Sequence, residues 1–168
     1  MTPSQRIAIR LRLNGRDRAI STTTSAVLAD ILREELGLTG TKIGCDQGVC
    51  GACTVLIDDV PMASCTEFAF MVDGRSVTTI EGLGPVDGLH PIQRAFVDAA
   101  AMQCGYCTPG MILLLHALLS QNPDPDEATL RRWLASSVCR CTGYQVIIEA
   151  ARLAAPGYGQ GKRTDAQA

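Results

Sequence analysis

The sequence predicts an α+β protein built as two units in series, a β-rich half over residues 1–83 and an all-helical half over 84–156. Three observations carry this. Apolar residues recur with period 2 in short runs as far as Ile80, and with helical period after Pro91. Between the two patterns lies Gly82 to His90, Gly-Leu-Gly-Pro-Val-Asp-Gly-Leu-His, a composition that breaks regular structure. The eight cysteines divide evenly, four on each side of that break.

Ile7 to Leu13 alternates apolar and polar residues, the pattern of a half-buried strand. Asn14-Gly15 signals a tight hairpin, and Arg16 to Ser21 is its return strand. From Ala26 to Leu36 the period becomes helical, with Leu28, Ile31, Leu32 and Leu36 on one face, and Gly37 is placed to stop the helix. Thr54 to Ile57 reads as a strand, Asp58-Asp59 as a turn, Val60 to Cys65 as the return, and Ser76 to Ile80 as a last β-rich run. A hairpin, a helix, a loop and three further short strands suggest a β-grasp fold, the architecture of plant-type ferredoxins. In the second half, Pro91 opens a helix striped by Ile92, Ala95, Phe96 and Ala99. Thr108 is the expected N-cap of a second helix that runs to Asn122-Pro123, and a third begins near Asp126 and buries Leu130, Trp133 and Leu134. Thr142-Gly-Tyr-Gln145 has a capping-box pattern for a fourth, which uses Ile147, Ile148 and Ala151 inward. Four short helices imply a small bundle. The polar, Gly-rich tail 157–168 is expected to be disordered.

Composition excludes several functions. A net charge of −2 offers no nucleic-acid surface. No apolar run approaches the ~18–20 residues that cross a bilayer. The N-terminal residues lack an apolar export segment, so a cytoplasmic location is expected, where thiols stay reduced. Eight reduced cysteines then read as ligands rather than disulfides.

Cys45, Cys50 and Cys53 stand at C-x4-C-x2-C spacing, and Cys65 follows. This is the plant-type ligand run for a [2Fe–2S] cluster, in which two irons share four thiolates. Gly44, Gly48 and Gly51 let the loop bring backbone N–H groups close to the sulfurs. Zinc is the alternative, but structural zinc sites pair cysteines without this glycine-laced trio. The helical half holds Cys104-x2-Cys107 and Cys139-x-Cys141, each at a junction between two helices. Four cysteines there suit zinc as well as an iron–sulfur cluster. The cluster is favoured because Cys107 and Cys141 each precede an expected helix cap, which directs free N–H groups and partial positive charge at the thiolates.

Thr41 to Thr54, Gln103-Cys-Gly-Tyr-Cys-Thr-Pro-Gly-Met111 and Cys139-Arg-Cys-Thr-Gly-Tyr144 together resemble the two-cluster iron–sulfur component of the molybdenum hydroxylases. These include xanthine dehydrogenase, aldehyde oxidoreductase and carbon monoxide dehydrogenase. The resemblance spans Ile7 to Ala155. It implies a small subunit with two [2Fe–2S] clusters that passes electrons from a molybdopterin cofactor on a large subunit to FAD, on a medium subunit, or to another acceptor. It also implies that Gln103, otherwise a polar loop residue, contacts the pterin. Ser137 and Val146 stand where many relatives carry Asn and Pro. Two other functions fit less of the chain. A free-standing ferredoxin-type carrier has no use for the helical half, and a zinc-stabilised interaction module would hold no iron. His90, His116 and Trp133 are expected to be structural, while Lys42 and Arg140 beside the ligand loops are as suited to tuning a potential as to solvent. The chain shows no Gly-rich phosphate loop, Ser/His/Asp set or carboxylate pair, so substrate chemistry belongs to a partner.

Overall fold

Alternation in the first half produces strands with one buried face. In the computed structural model, which describes residues 6–159, β1 (Arg6–Leu13) pairs antiparallel with β2 (Arg16–Thr23). Ile9, Leu11 and Leu13 point inward and the arginines between them outward. Asn14 and Gly15 both take positive φ, as the two-residue hairpin requires. β3 (Thr54–Ile57), β4 (Val60–Ala63) and β5 (Ser76–Thr78) complete a five-stranded sheet in the order β2-β1-β5-β3-β4. Only β1 and β5 run parallel.

The helical segment packs Leu28, Ile31 and Leu32 on this sheet, against Ile9, Val55, Ile57 and Val77. It is wound differently from the expected α-helix. Only α1 (Leu28–Asp30) is α-helical, and Ile31–Glu35 takes the wider π form, closed by Leu36 N–H to the Ile31 carbonyl at 3.1 Å. Both ends are fixed from outside. Leu28 and Ala29 donate to the Glu67 and Ser64 carbonyls, and left-handed Gly37 stops the far end, so the wider turn takes up the extra residue between these anchors.

The helical half begins after a short 3-10 turn at Ile80–Gly82. Its elements are α2 (Pro91–Asp98), α3 (Thr108–Gln121), α4 (Glu127–Leu134), α5 (Gln145–Ala154) and the single turn α6 (Pro156–Gly159). Asp126 caps α4 through the Thr129 N–H at 2.8 Å. The Thr108 cap is displaced by one residue: Cys107 holds the cap position and Thr108 is already helical. The capping box at Thr142 does not form. Tyr144 precedes α5 in a left-handed conformation, and Thr142 turns its hydroxyl to Cys139. The threonine serves the cysteine loop rather than the helix.

Phe96, Met111, Leu115, Leu119, Leu130 and Ile148 lie in the core of this half. Nine of the 14 residues of α3 are buried, because it packs on its neighbouring helices and also on β3. Leu56 of β3 meets Leu113 and Ala117 of α3 in a seam that joins the two halves. Full burial of one such leucine contributes about 2 kcal/mol.

The start of the expected disordered tail is ordered. Residues 157–159 lie in α6, and Tyr158 Oη meets His116 Nδ1 at 2.8 Å; the remainder, 160–168, lies outside the described residues. His90 completes this aromatic group, its ring edge-on to His116, and caps α2 by accepting the Ile92 N–H. The histidines are structural, as expected. Burial, with the neighbouring His90 adding to it, holds His116 down to about 4. A histidine kept neutral in the folded state is protonated first in the unfolded chain, so stability is full above about pH 6.5 and falls as pH drops toward the folded value. The melting temperature should decline between pH 7 and 4, and His116→Gln should flatten that decline. A wild-type profile as flat as the variant's would contradict the assignment.

Candidate metal centres

The first cysteine loop is held from behind before it reaches its thiols. Arg33 Nη1 donates to the Thr41 carbonyl at 2.7 Å and Lys42 Nζ to the Thr39 carbonyl at 2.7 Å. The helical period places Arg33 on the outer face, yet it reaches round to fix the entry to Cys45. From there Asp46, Gly48 and Gly51 take positive φ and the backbone curls around the sulfurs. Cys45 Sγ accepts from the N–H groups of Gln47, Val49 and Cys50 at 3.3–3.4 Å. Gly48 N–H lies 3.4 Å from Cys65 Sγ. Ser64, fully buried, donates its hydroxyl and its N–H to the Cys53 carbonyl and so binds the Cys53 and Cys65 strands together.

These contacts divide the thiols electrostatically. Hydrogen bonds from Cys50, Gln47 and Val49 N–H bring Cys45 down to about 6. Burial, and then the neighbouring Cys53 thiol, push Cys65 up to about 11. Cys45 lies beside Cys50, and Cys65 beside Cys53.

The second set forms where three helix ends meet. Cys104 and Cys107 lie on the loop entering α3, and Cys139 and Cys141 on the loop between α4 and α5. Cys104 and Cys141 are exposed with their sulfurs 3.6 Å apart, while Cys139, which is buried, lies beside Cys107. Burial, then the Cys139 thiol, push Cys107 up to about 12. Burial also raises Cys139, but the Thr142 hydroxyl at 3.1 Å and its N–H at 3.5 Å outweigh it and bring that thiol down. Tyr144 clamps this turn. Its hydroxyl accepts the Cys139 N–H at 2.9 Å and donates to the Ser137 carbonyl at 3.2 Å.

All eight predicted ligands are therefore gathered, in two groups of four. Within each group the sulfurs fall into two pairs. Among the described residues no three His, Cys, Asp or Glu side chains converge as a single-ion site would demand. A lone zinc needs its four sulfurs about one point at ~2.3 Å. Two irons that share four thiolates need two pairs, so the donor arrangement fits the binuclear cluster in both places.

Gln103 is exposed next to Cys104. The residues that sequence reasoning missed are Arg33, Ser64, Tyr106 and Tyr144. Tyr106 lies between Cys104 and Cys107, and its hydroxyl donates 2.7 Å to the Ile43 carbonyl of the first loop. Its place inside the Cys-x2-Cys motif was the available signal. Ser137 is buried without a protein partner for its hydroxyl.

Comparison with known proteins agrees with this chemistry. Residues 11–76 match the model of a 2Fe-2S iron-sulfur cluster binding domain, and residues 79–152 that of a [2Fe-2S] binding domain. The chain is 46% identical to the nicotine 6-hydroxylase small subunit of Paenarthrobacter nicotinovorans, over 93% of each chain. It is 44% identical to the nicotinate dehydrogenase small FeS subunit of Eubacterium barkeri, covering 89% of this chain and 95% of that one. The crystal structure of quinoline 2-oxidoreductase from Pseudomonas putida 86 superposes with a TM-score of 0.91 at 43% identity, covering 94% of this chain and 99% of its counterpart.

The contrast between thiols is testable in the metal-free chain. Iodoacetamide at pH 7 should alkylate Cys45 first, about tenfold or more ahead of Cys65 and Cys107, because the thiolate is the reactive form. Peptide mapping over time reads this directly, and uniform labelling would contradict the hydrogen-bonded Cys45.

With two [2Fe–2S] domain matches over most of its length and small-subunit relatives aligned almost end to end, the chain belongs to the family of two-cluster iron–sulfur subunits of the molybdenum hydroxylases.

Proposed function

We propose that Cys45, Cys50, Cys53 and Cys65 hold one [2Fe–2S] cluster and that Cys104, Cys107, Cys139 and Cys141 hold the other. The observation that carries this is the pairing of thiols in both sets, with backbone N–H groups trained on Cys45 and Cys65. When bound, the clusters supply one-electron carriers, and the protein supplies position and potential. N–H donors at the sulfurs favour the more negative, reduced state.

The β-grasp unit spans 1–83 and the helical unit 84–156. The chain acts as the electron-transfer part of an oxidoreductase whose substrate is oxidised on a large, molybdopterin-binding subunit. Electrons leave toward FAD on a medium subunit or toward another acceptor. A reducing compartment, the cytoplasm, suits eight ligand thiols. No helix among the described residues is long and apolar enough to cross a membrane.

Gln103 sets the direction of the wire. It is exposed beside the exposed thiol of Cys104, and among the described residues its side chain makes no hydrogen bond within the chain, so both ends of the amide are open to a partner. The helical set then lies nearest the pterin and the loop set nearer the acceptor.

Two measurements test this reading. The purified chain should contain about four irons and four acid-labile sulfides per copy, and reduction should give two distinct EPR signals. Stoichiometric zinc without visible absorption would overturn it. In the assembled complex, Gln103→Ala should keep all iron but slow reduction of the helical-half cluster by substrate, or loosen the cofactor by about 1–3 kcal/mol through unpaired polar groups. Unchanged cofactor occupancy and an unchanged internal rate in rapid-mixing experiments would show Gln103 to be a loop residue only.

A further inference from the structure

Both arms of the second cysteine set come up against one residue of the first loop, Gly51, which follows Cys50. On one side Gly51 lies against Gly110, three residues beyond Cys107 and in the first turn of α3. A Cβ on Gly110 would collide with the Gly51 carbonyl and would meet the Ala52 carbonyl at 3.3 Å. On its other side Gly51 lies against Ser136 and Ser137, just before Cys139. A Cβ on Gly51 would stand 2.7 Å from the Ser136 carbonyl and 2.9 Å from Ser137 Cα. Both arms of the helical set therefore press on one bead of the first loop.

Two hydrogen bonds run beside this contact. The Val138 N–H donates to the Cys50 carbonyl at 2.9 Å, so a residue adjoining Cys139 is bonded to a residue of the first set. Tyr106 Oη holds the Ile43 carbonyl from the other arm. Thr54 donates its hydroxyl and its N–H to the Gly51 carbonyl, which keeps that oxygen facing Gly110.

We infer that Gly110 is a positioning residue: its missing side chain lets α3 seat on the Gly51 carbonyl and sets the spacing between the two cysteine sets. The inference rests on both sets holding clusters. Gly110 does not take positive φ, so no backbone conformation demands glycine there. Helix propensity alone favours alanine at such a site. The seat on Gly51 is therefore the reason for glycine, and it predicts the opposite sign.

The test is Gly110→Ala in the full chain, with Gly74→Ala as control, since Gly74 has φ +75° and nothing within 4 Å of an added Cβ. In Gly110→Ala, both clusters should be retained while the low-temperature EPR splitting from their mutual magnetic interaction narrows. Hydrogen exchange of the peptide carrying Val138 should quicken by about tenfold or more. Gly74→Ala should lose stability and leave both readouts unchanged. An unaltered splitting in a two-cluster Gly110→Ala protein would overturn the inference. If that variant does not fold, the wild-type chain decides: Val138 must exchange as slowly as the core of α3, and loop-like exchange overturns it. Absence of iron from the wild-type chain would instead defeat the cluster assignment and leave the seat to the exchange measurement.

Discussion

Four sulfur atoms have to be collected at one place, twice, without burying negative charge that nothing offsets. Free thiolates repel one another, and burial penalises each. The protein meets this with backbone. In the first loop, residues 46, 48 and 51 in the left-handed region turn successive N–H groups inward, three of them onto Cys45 alone. In the second, Thr142 supplies a hydroxyl and an N–H to Cys139 while Tyr144 pins the turn. No lysine or arginine side chain is placed on a sulfur in these hydrogen-bond sets. Fixed dipoles take the place of counter-charges, and those of the backbone lose no side-chain entropy in doing so.

That strategy makes the rest of the architecture subordinate to loop position. The π-wound helix packs on the sheet, and Arg33 joins it to the first loop. The helical half has its own core, yet α3 is apolar nearly all round because it also covers β3 through Leu113 and Ala117. Two cores of ordinary size thus share one seam, and the cysteine loops lie at its end. The two halves are distinct in their secondary structure and continuous where the function lies.

Much of this was legible from residues. Period, hairpin signal and Gly37 located the strands and the helix; cysteine spacing located both groups of four thiols. The misreadings have a common physical origin. Winding Ile31–Glu35 as a π-helix depends on bonds from Leu28 and Ala29 to residues 64–68, which no local pattern encodes. Thr142 looked like a helix cap because its spacing to Gln145 is right, but a thiol three residues upstream competes for the same hydroxyl. The ordered turn at Tyr158 depends on His116, 42 residues away. Arg33 and Ser64 act on carbonyl groups 8 and 11 residues away, beyond any local repeat. Local chemistry is read locally, while backbone partners supplied by another element are not.

The distribution of exposure differs between the two cysteine sets. Cys53, Cys65 and Cys139 are buried, whereas Cys104 and Cys141 reach the surface beside Gln103. Val49 and Val138, apolar and more than half exposed, stand on the first and second cysteine loops. Such side chains in solvent contribute nothing to the stability of this chain, but they would bury apolar area against a neighbour. The helical set is therefore held by a rigid interior on one side and open on the other. The asymmetry follows from the fold: one side of the set is packed on the first loop through the Gly51–Gly110 and Cys50–Val138 contacts, and the other carries the two exposed thiols.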